Sequence, residues 1–272
     1  TQVLQLWLLK AHPALLTGFL DGLGIEHDGE GAADDIPDPV LSHGGQPSDY
    51  YGEFKVPGPI LPLIAIPTTS GTGSEVTPVA VLSDPDRAVK VGIASPHLIP
   101  HTAICDPELT VSMPKAITAG TGVDAFAHCV EAYSSPHYHP MSQGIALEGM
   151  RLVKEYLPRA YADGNDIEAR AHMMSAAMMG ATAFQKGLGA IHAMSHPVGA
   201  IFNTHHGTTN AICMPAVLAF NADAIRDRFD KVAAYLGIEG GFDGFRSFVQ
   251  EFNDQLGIPR RLSDVGVTED RI

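Results

Sequence analysis

Asp124 and His128 in TGVDAFAHCVEAY, with His192, His196 and His206 in GAIHAMSHPVGAIFNTHHG, constrain this 272-residue chain more than any other feature. Asp124 and His128 lie four apart, as do His192 and His196, and His206 follows His192 by fourteen. On an α-helix, residues four apart share a face about one turn along. Two short helices carrying these segments would therefore aim a carboxylate and several imidazoles into one cleft. One oxygen and three nitrogen donors suit a borderline divalent ion such as Fe2+ or Zn2+, and suit Mg2+ or Ca2+ poorly. The segments are otherwise almost free of charge, Glu131 being the only other carboxylate near the first pair. An unpaired carboxylate on so apolar a helix is costly unless it meets a cation or takes up a proton.

Asp124, His128, His192 and His206 are the candidate metal ligands, with His205 the nearest competitor to His206. His196 has two readings, a fifth ligand or a proton relay. A catalytic ion needs an open coordination position, which favours the relay and makes His196 the catalytic candidate. His12, His27, His43, His97, His101, His137, His139 and His172 stand mostly near Pro, Gly or Asp and read as surface or turn residues. Met173, Met174, Met178, Met179, Met194 and Met214 read as soft core filler. Cys129, beside His128, would point about 100° away from it on a helix and is expected in the core.

The formal charge of −14, from 31 acids against 17 bases, argues against nucleic acid and anionic membrane as partners. At 45% apolar residues the chain is expected to be globular. No apolar run reaches the roughly 20 residues a bilayer span needs. Three cysteines (Cys105, Cys129 and Cys213) with no CxxC pair fit a reducing cytoplasm. The apolar residues Leu4 to Leu9 are interrupted by Lys10 and follow no basic residue, so secretion is not expected.

Along the chain, Val3 to Leu23 is amphipathic and runs into GIEHDGEGAADDIPDP, which reads as an acidic mobile loop. Leu63 to Ile66, ending at Pro67, predicts a buried parallel strand. Ala80 to Leu82 and Val89 to Ile93 bracket Asp84-Pro85-Asp86 as two strands and a turn, and His101 to Cys105 is a further short strand. From Ser112 the pattern is helical. Pro114 suits the first residue of a helix with Ser112 as a possible cap, and Thr121-Gly-Val-Asp124 suits the start of the next. Ile145 to Leu157, Ile167 to Gln185 and Ala222 to Leu236 show helical apolar spacing. The expected fold is an α/β segment over residues 1–108, with 1–38 atypical, followed by an all-α metal-binding domain over 109–272.

A second constellation, Ile66-Pro-Thr-Thr-Ser-Gly-Thr-Gly-Ser-Glu75, comes directly after an apolar strand. Its glycines would let backbone approach a ligand, and its amides and threonine hydroxyls could hold phosphate or ribose oxygens. A plain Gly/Ser turn is the alternative, and no P-loop lysine follows. Lys90 is a possible cation for the same ligand or a solvated surface charge.

Together these segments resemble the iron-containing (group III) alcohol dehydrogenase family. The resemblance is carried by AICDPELTVSMPKAITAGTGVDAFAHCVE (103–131) and GAIHAMSHPVGAIFNTHHGTT (189–209), with PLIAIPTTSGTGSEVTPVAVLSD and IPRRLSDVGV alongside. It extends over roughly residues 39–272. It implies a partial Rossmann-like nucleotide-binding domain before an all-helical domain, with the active site between them. It places a divalent ion, Fe2+ or Zn2+, on Asp124, His128, His192 and His206. It turns Thr68, Thr69, Gly71 and Thr72, with Lys90, toward NAD or NADP, and His196 toward nicotinamide and substrate. The implied reaction is hydride transfer between a small primary alcohol and its aldehyde, in a homo-oligomer. Two features depart from the family. Its GGGS-x-x-D pyrophosphate turn has no counterpart in 1–38, and His43-Gly-Gly-Gln46 lacks the serine and aspartate. The chain also stops at Asp270-Arg271-Ile272, where the family continues. A truncated chain is therefore expected, with a catalytically impaired metal-binding fragment as one alternative. The other is a reductase of a keto or dicarboxylate substrate, against which the intact ligand set argues.

Overall fold

A computed structural model describes residues 38–84 and 87–271. The amphipathic stretch Val3 to Leu23, the acidic loop after it, His12, His27 and the Pro85-Asp86 turn lie outside the described residues. After a short helix α1 (Asp38–His43) come strands β1 (Gly52–Glu53), β2 (Ile64–Ala65), β3 (Val79–Asp84), β4 (Val89–Ala94) and β5 (Thr102–Ala103). The β-branched run of β3 pairs antiparallel with β4, from Val79 opposite Ala94 to Asp84 opposite Val89. β1 adds parallel to β4, giving the order β1-β4-β3. β2 and β5 form a separate parallel pair, and their crossover carries the β3–β4 hairpin. Tyr50, Val56, Ile93 and Leu98 make a small core under this part. The Leu63 to Ile66 run is less enclosed than expected. Only Ala65 is buried, and the partner residues Thr102 and Ala103 are exposed, because no described element covers them.

Seven long helices follow: α2 (Lys115–Ser134), α3 (Pro140–Ala162), α4 (Ile167–Ala183), α5 (Ala190–Phe202), α6 (His206–Phe220), α7 (Ala222–Tyr235) and α8 (Gly241–Gln255). α2 is the central rod, packed against α3, α4 and α6. It is apolar nearly all round, with Val123, Ala125, Phe126, Ala127, Cys129 and Val130 all buried, as a helix enclosed on every side must be. α7 and α8 pair through Phe229, Phe242 and Phe245, and Phe126 of α2 packs on Phe245 at a ring-centroid distance of 6.1 Å. An α/β segment thus leads into a helical one, as the sequence implies.

Several local expectations change. Thr121-Gly-Val-Asp124 does not begin a helix, since α2 is one continuous 20-residue helix. The Thr121 hydroxyl donates to the Ile117 carbonyl one turn back (2.8 Å), so it has no need of a terminus. Gly122 is kept in mid-helix by packing, for a Cβ there would strike the Leu157 side chain. Pro114 precedes the first helical residue instead of occupying it, and no side chain caps that end. Pro197 lies inside α5 without ending it; its missing N–H forfeits one helical bond, which the flanking turns tolerate. Met194 is 45% exposed on α5 and is not core filler, unlike Met173, Met174 and Met214.

The C-terminal end of α2 is tied down by two cations. Arg228 Nη1 donates to the carbonyls of Tyr133, Ser134 and Ser135 (3.4, 3.2 and 2.7 Å), and Lys186 Nζ donates to Ala132 O (3.0 Å). Positive groups at a helix C-terminus satisfy orphan carbonyls and oppose the helix dipole.

Candidate metal centre

Three helices deliver the site. α2 supplies Asp124 and His128 from its middle, α5 supplies His192 and His196 from its first two turns, and α6 supplies His206 as its first residue. One donor atom each from Asp124, His192 and His206 lies within 4.8 Å of the others. His192 Nε2 and His206 Nε2 each stand 3.6 Å from Asp124 Oδ1. His128 Nε2 is a little farther from the same oxygen, at 4.0 Å, and its ring stacks on His192 with centroids 4.7 Å apart. The His196 ring lies 5.7 Å from that of His192 and 5.3 Å from that of His206, beside the cluster. His205 turns elsewhere. It caps α6, its Nδ1 accepting from the Thr208 amide, and it packs against Gly120.

Close helix contact makes this convergence possible. A Cβ at Gly207 would fall on the Gly120 carbonyl oxygen, so the start of α6 rests backbone to backbone on α2. That contact sets His206 opposite Asp124, one turn farther along α2.

Two residues missed by the sequence reading complete the centre. Glu131, one turn beyond His128 and buried, receives the Ile191 amide on Oε1 (2.6 Å) and pairs with His192 Nδ1 through Oε2. With Nδ1 so engaged, Nε2 is the nitrogen that faces Asp124. Asn210, one turn after His206 and fully buried, places Nδ2 2.7 Å from Asp124 Oδ1 and 3.1 Å from Nε2 of both His192 and His206. The i, i+4 relation to His206 was the available signal for it.

Electrostatics follow from burial and crowding. Burial opposes ionisation of Asp124, yet His128, His192 and His206 together hold its carboxyl well below the usual range. Burial, reinforced by His192 and His206, pushes His128 down to about 4. Burial also disfavours a charged His192, but the Asp124 and Glu131 carboxylates lift it to about 9, so a proton competes with any cation for Nε2. Burial, with His206 and His192 nearby, takes His196 down to about 4. Cys129, pushed up to about 12 by burial alone, lies against Gly149 and Gly180 and offers no thiolate here.

The loop 66–75 is fastened to α2, which carries Asp124 and His128, and to its neighbour α4. Gly71 is buried, and a Cβ there would stand 2.8 Å from Thr121 Cβ; Gly73, with φ 62°, would press on Ala177 O at 2.5 Å. These glycines serve close loop-to-helix packing, a role the sequence reading had not assigned them. Thr68 and Thr69 are half-buried and Thr72 is exposed. Lys90, exposed on β4, bonds Ser83 Oγ; burial pushes the His206 imidazole below its ordinary value, and the charges of His192, His205 and, least, Lys90 add to that.

The family profile described as Fe-containing alcohol dehydrogenase family, C-terminal, matches residues 118–272, and that of Iron-containing alcohol dehydrogenase matches residues 40–107. The chain belongs to the iron-containing alcohol dehydrogenase family. Within it, the chain is 44% identical over 244 residues to a 4-hydroxybutyrate dehydrogenase of Cupriavidus necator, covering 85% of this chain and 63% of that protein. It is 40% identical to an NAD-dependent methanol dehydrogenase of Bacillus methanolicus, covering 86% of this chain and 63% of the relative. A 1,3-propanediol oxidoreductase structure superposes with a TM-score of 0.82 at 34% identity, over 86% of this chain and 63% of the other. The chain thus spans less than two thirds of the length of these relatives. Among the described residues, no helix is long and apolar enough to cross a membrane.

Proposed function

We propose that this chain is the metal-centred part of an NAD(P)-dependent oxidoreductase that interconverts a small primary alcohol and its aldehyde, in a homo-oligomer. In this reading residues 1–108 serve the cofactor and 109–272 the metal. One observation carries it: Asp124, His192 and His206, from three different helices, bring an oxygen and two nitrogens within 4.8 Å of one another, Asp124 and His192 buried and His206 partly exposed, with His128 alongside. The donor chemistry, one carboxylate oxygen with imidazole nitrogens, fits Fe2+ or Zn2+. Methanol, 1,3-propanediol and 4-hydroxybutyrate dehydrogenases among the relatives favour a small alcohol.

When bound, a divalent ion supplies the Lewis acidity that makes an alcohol proton easy to lose, and nicotinamide supplies the hydride acceptor. The residues of the chain do the positioning. Asp124, His128, His192 and His206 hold the ion, and Glu131 fixes the tautomer of His192. His196, half-buried beside the cluster and neutral at ordinary pH, is placed to accept a proton on a ring nitrogen and pass it outward. Thr68, Thr69, Gly71, Thr72 and Lys90 would meet the cofactor.

Elemental analysis of protein purified without chelator, joined to an NADH titration read by fluorescence, tests this proposal. About one equivalent of iron or zinc and saturable NADH binding are expected, with His206→Ala losing both metal and turnover. Turnover retained without metal would falsify the mechanism. Bound metal without NADH binding would point instead to a non-catalytic metal-binding chain, a reading favoured only by its coverage of 63% of its relatives.

A further inference from the structure

Asn210 is fully buried, and its amide nitrogen lies within hydrogen-bonding distance of the three donor atoms that define the centre, Asp124 Oδ1, His192 Nε2 and His206 Nε2. Its other polar atom, Oδ1, is also buried and has no hydrogen-bond partner among the described residues. Both halves of that arrangement are unusual. A buried amide oxygen normally finds a donor, and leaving it without one is costly. An NH2 group carries two hydrogens, so it cannot serve three acceptors at full strength.

An atom close to all three donors is also close to any cation they share. An amide NH2 has no lone pair to give a metal and would turn its hydrogens toward the positive charge. An amide oxygen is a good hard donor. The two ends of the carboxamide exchange places by a half-turn about χ2, with no movement of α6. The charge at the centre then decides which orientation is favoured.

We propose that Asn210 is a reversible ligand of the metal centre. With no cation present, its NH2 group donates to Asp124 Oδ1 and sits between the two imidazoles. With a divalent cation present, the amide turns and Oδ1 becomes an additional donor. The orphan oxygen then gains a partner, and the NH2 group is released from the anionic carboxylate that had held it. This inference rests on the reading of Asp124, His192 and His206 as metal ligands and adds a residue one turn from His206.

The test uses the full chain loaded with Co2+, whose visible bands report the number and kind of donors, together with competition against a chromophoric chelator. The native protein, Asn210→Ala and Asn210→Asp are compared. Asn210→Ala is expected to bind Co2+ at least about 10-fold more weakly and with altered band position and intensity. Asn210→Asp, which keeps an oxygen donor and adds charge, is expected to bind at least as tightly as the native protein. Its metal-free form should melt lower than the native metal-free form, since two carboxylates then face each other, and Co2+ should raise its melting temperature by more. A native spectrum in Asn210→Ala, even with weakened binding, would show the amide acting from outside the donor set and would overturn the proposal. So would weaker Co2+ binding by Asn210→Asp than by Asn210→Ala. If Asn210→Ala does not fold, the Asn210→Asp affinity against the native protein decides the matter, a loss of 10-fold or more counting against it. Failure of the native chain to take up Co2+ would overturn the metal centre itself, an outcome separate from an unchanged spectrum in the variant.

Discussion

Glu131 Oε2 stands 2.5 Å from His192 Nδ1 while Oε1 of the same carboxylate receives the Ile191 amide, so one side chain of α2 fixes both the ring and the first turn of α5. Carboxylates behind metal-bound imidazoles typically contribute 10- to 100-fold in affinity, a factor of about that size being expected here. Glu131→Gln should therefore weaken divalent-ion binding by about 10- to 100-fold while leaving the helical content unchanged. Chelator competition measures the first and circular dichroism the second. Native affinity in the variant would remove Glu131 from the account of the centre.

The contact between Gly207 and Gly120 leaves no room for a methyl group, and the atom in the way is backbone, which cannot swing aside. Gly207→Ala should cost about 1–3 kcal/mol or more by overpacking. For a chain of this size that lowers the melting temperature by roughly 2–4 °C per kcal/mol. Because Asp124 Cβ borders the same position, metal retention should fall with it. Melting curves with and without added Zn2+ would show whether both effects appear.

Arg228 closes the end of α2 by donating to three consecutive carbonyls. Bonds from a charged donor contribute about 1.5–3 kcal/mol each way of counting, so Arg228→Ala should lose on that order by urea unfolding. Arg228→Lys should recover only part, since an ammonium lacks the planar fork that spans several acceptors. Full recovery by lysine would mean that charge at the helix end matters and geometry does not.

Glu75, buried in the 3-10 turn Ser74–Val76, has its carboxyl raised from an ordinary value of 4.5 by burial. Below that ordinary value both folded and unfolded chains hold the proton and no penalty arises. As pH rises above it, the unfolded chain ionises first, so the stability this group subtracts grows until the folded carboxyl also ionises and stays constant beyond that. The melting-temperature gain of Glu75→Gln over the native protein should therefore grow as pH rises above about 4.5. A difference that stays flat across that range would show that burial of the charge has no net cost.

The convergence of Asp124, His192 and His206 was legible in the sequence because two four-spaced pairs, Asp124 with His128 and His192 with His196, coincide with ligand chemistry, and so was the change from strands to helices near residue 112. The continuity of α2 was not. Thr121 and Gly122 read locally as a break, and only their fit against Leu157 and the Ile117 carbonyl keeps the helix intact. Glu131 and Asn210 were hidden for a similar reason. Their partners lie 60 and 86 residues away in the chain, Ile191 for the one and Asp124 for the other. Met194 failed a composition rule because its face of α5 points outward.

Gly71 rests on Thr121, and Thr121 stands three residues before Asp124 on one unbroken helix. Whatever occupies the threonine-rich loop and whatever occupies the carboxylate therefore share a stiff mechanical link. If occupancy at one end alters affinity at the other, it does so by the same factor in both directions, as thermodynamic linkage requires. The molecule would then respond to two ligands as a coupled pair and not as independent guests.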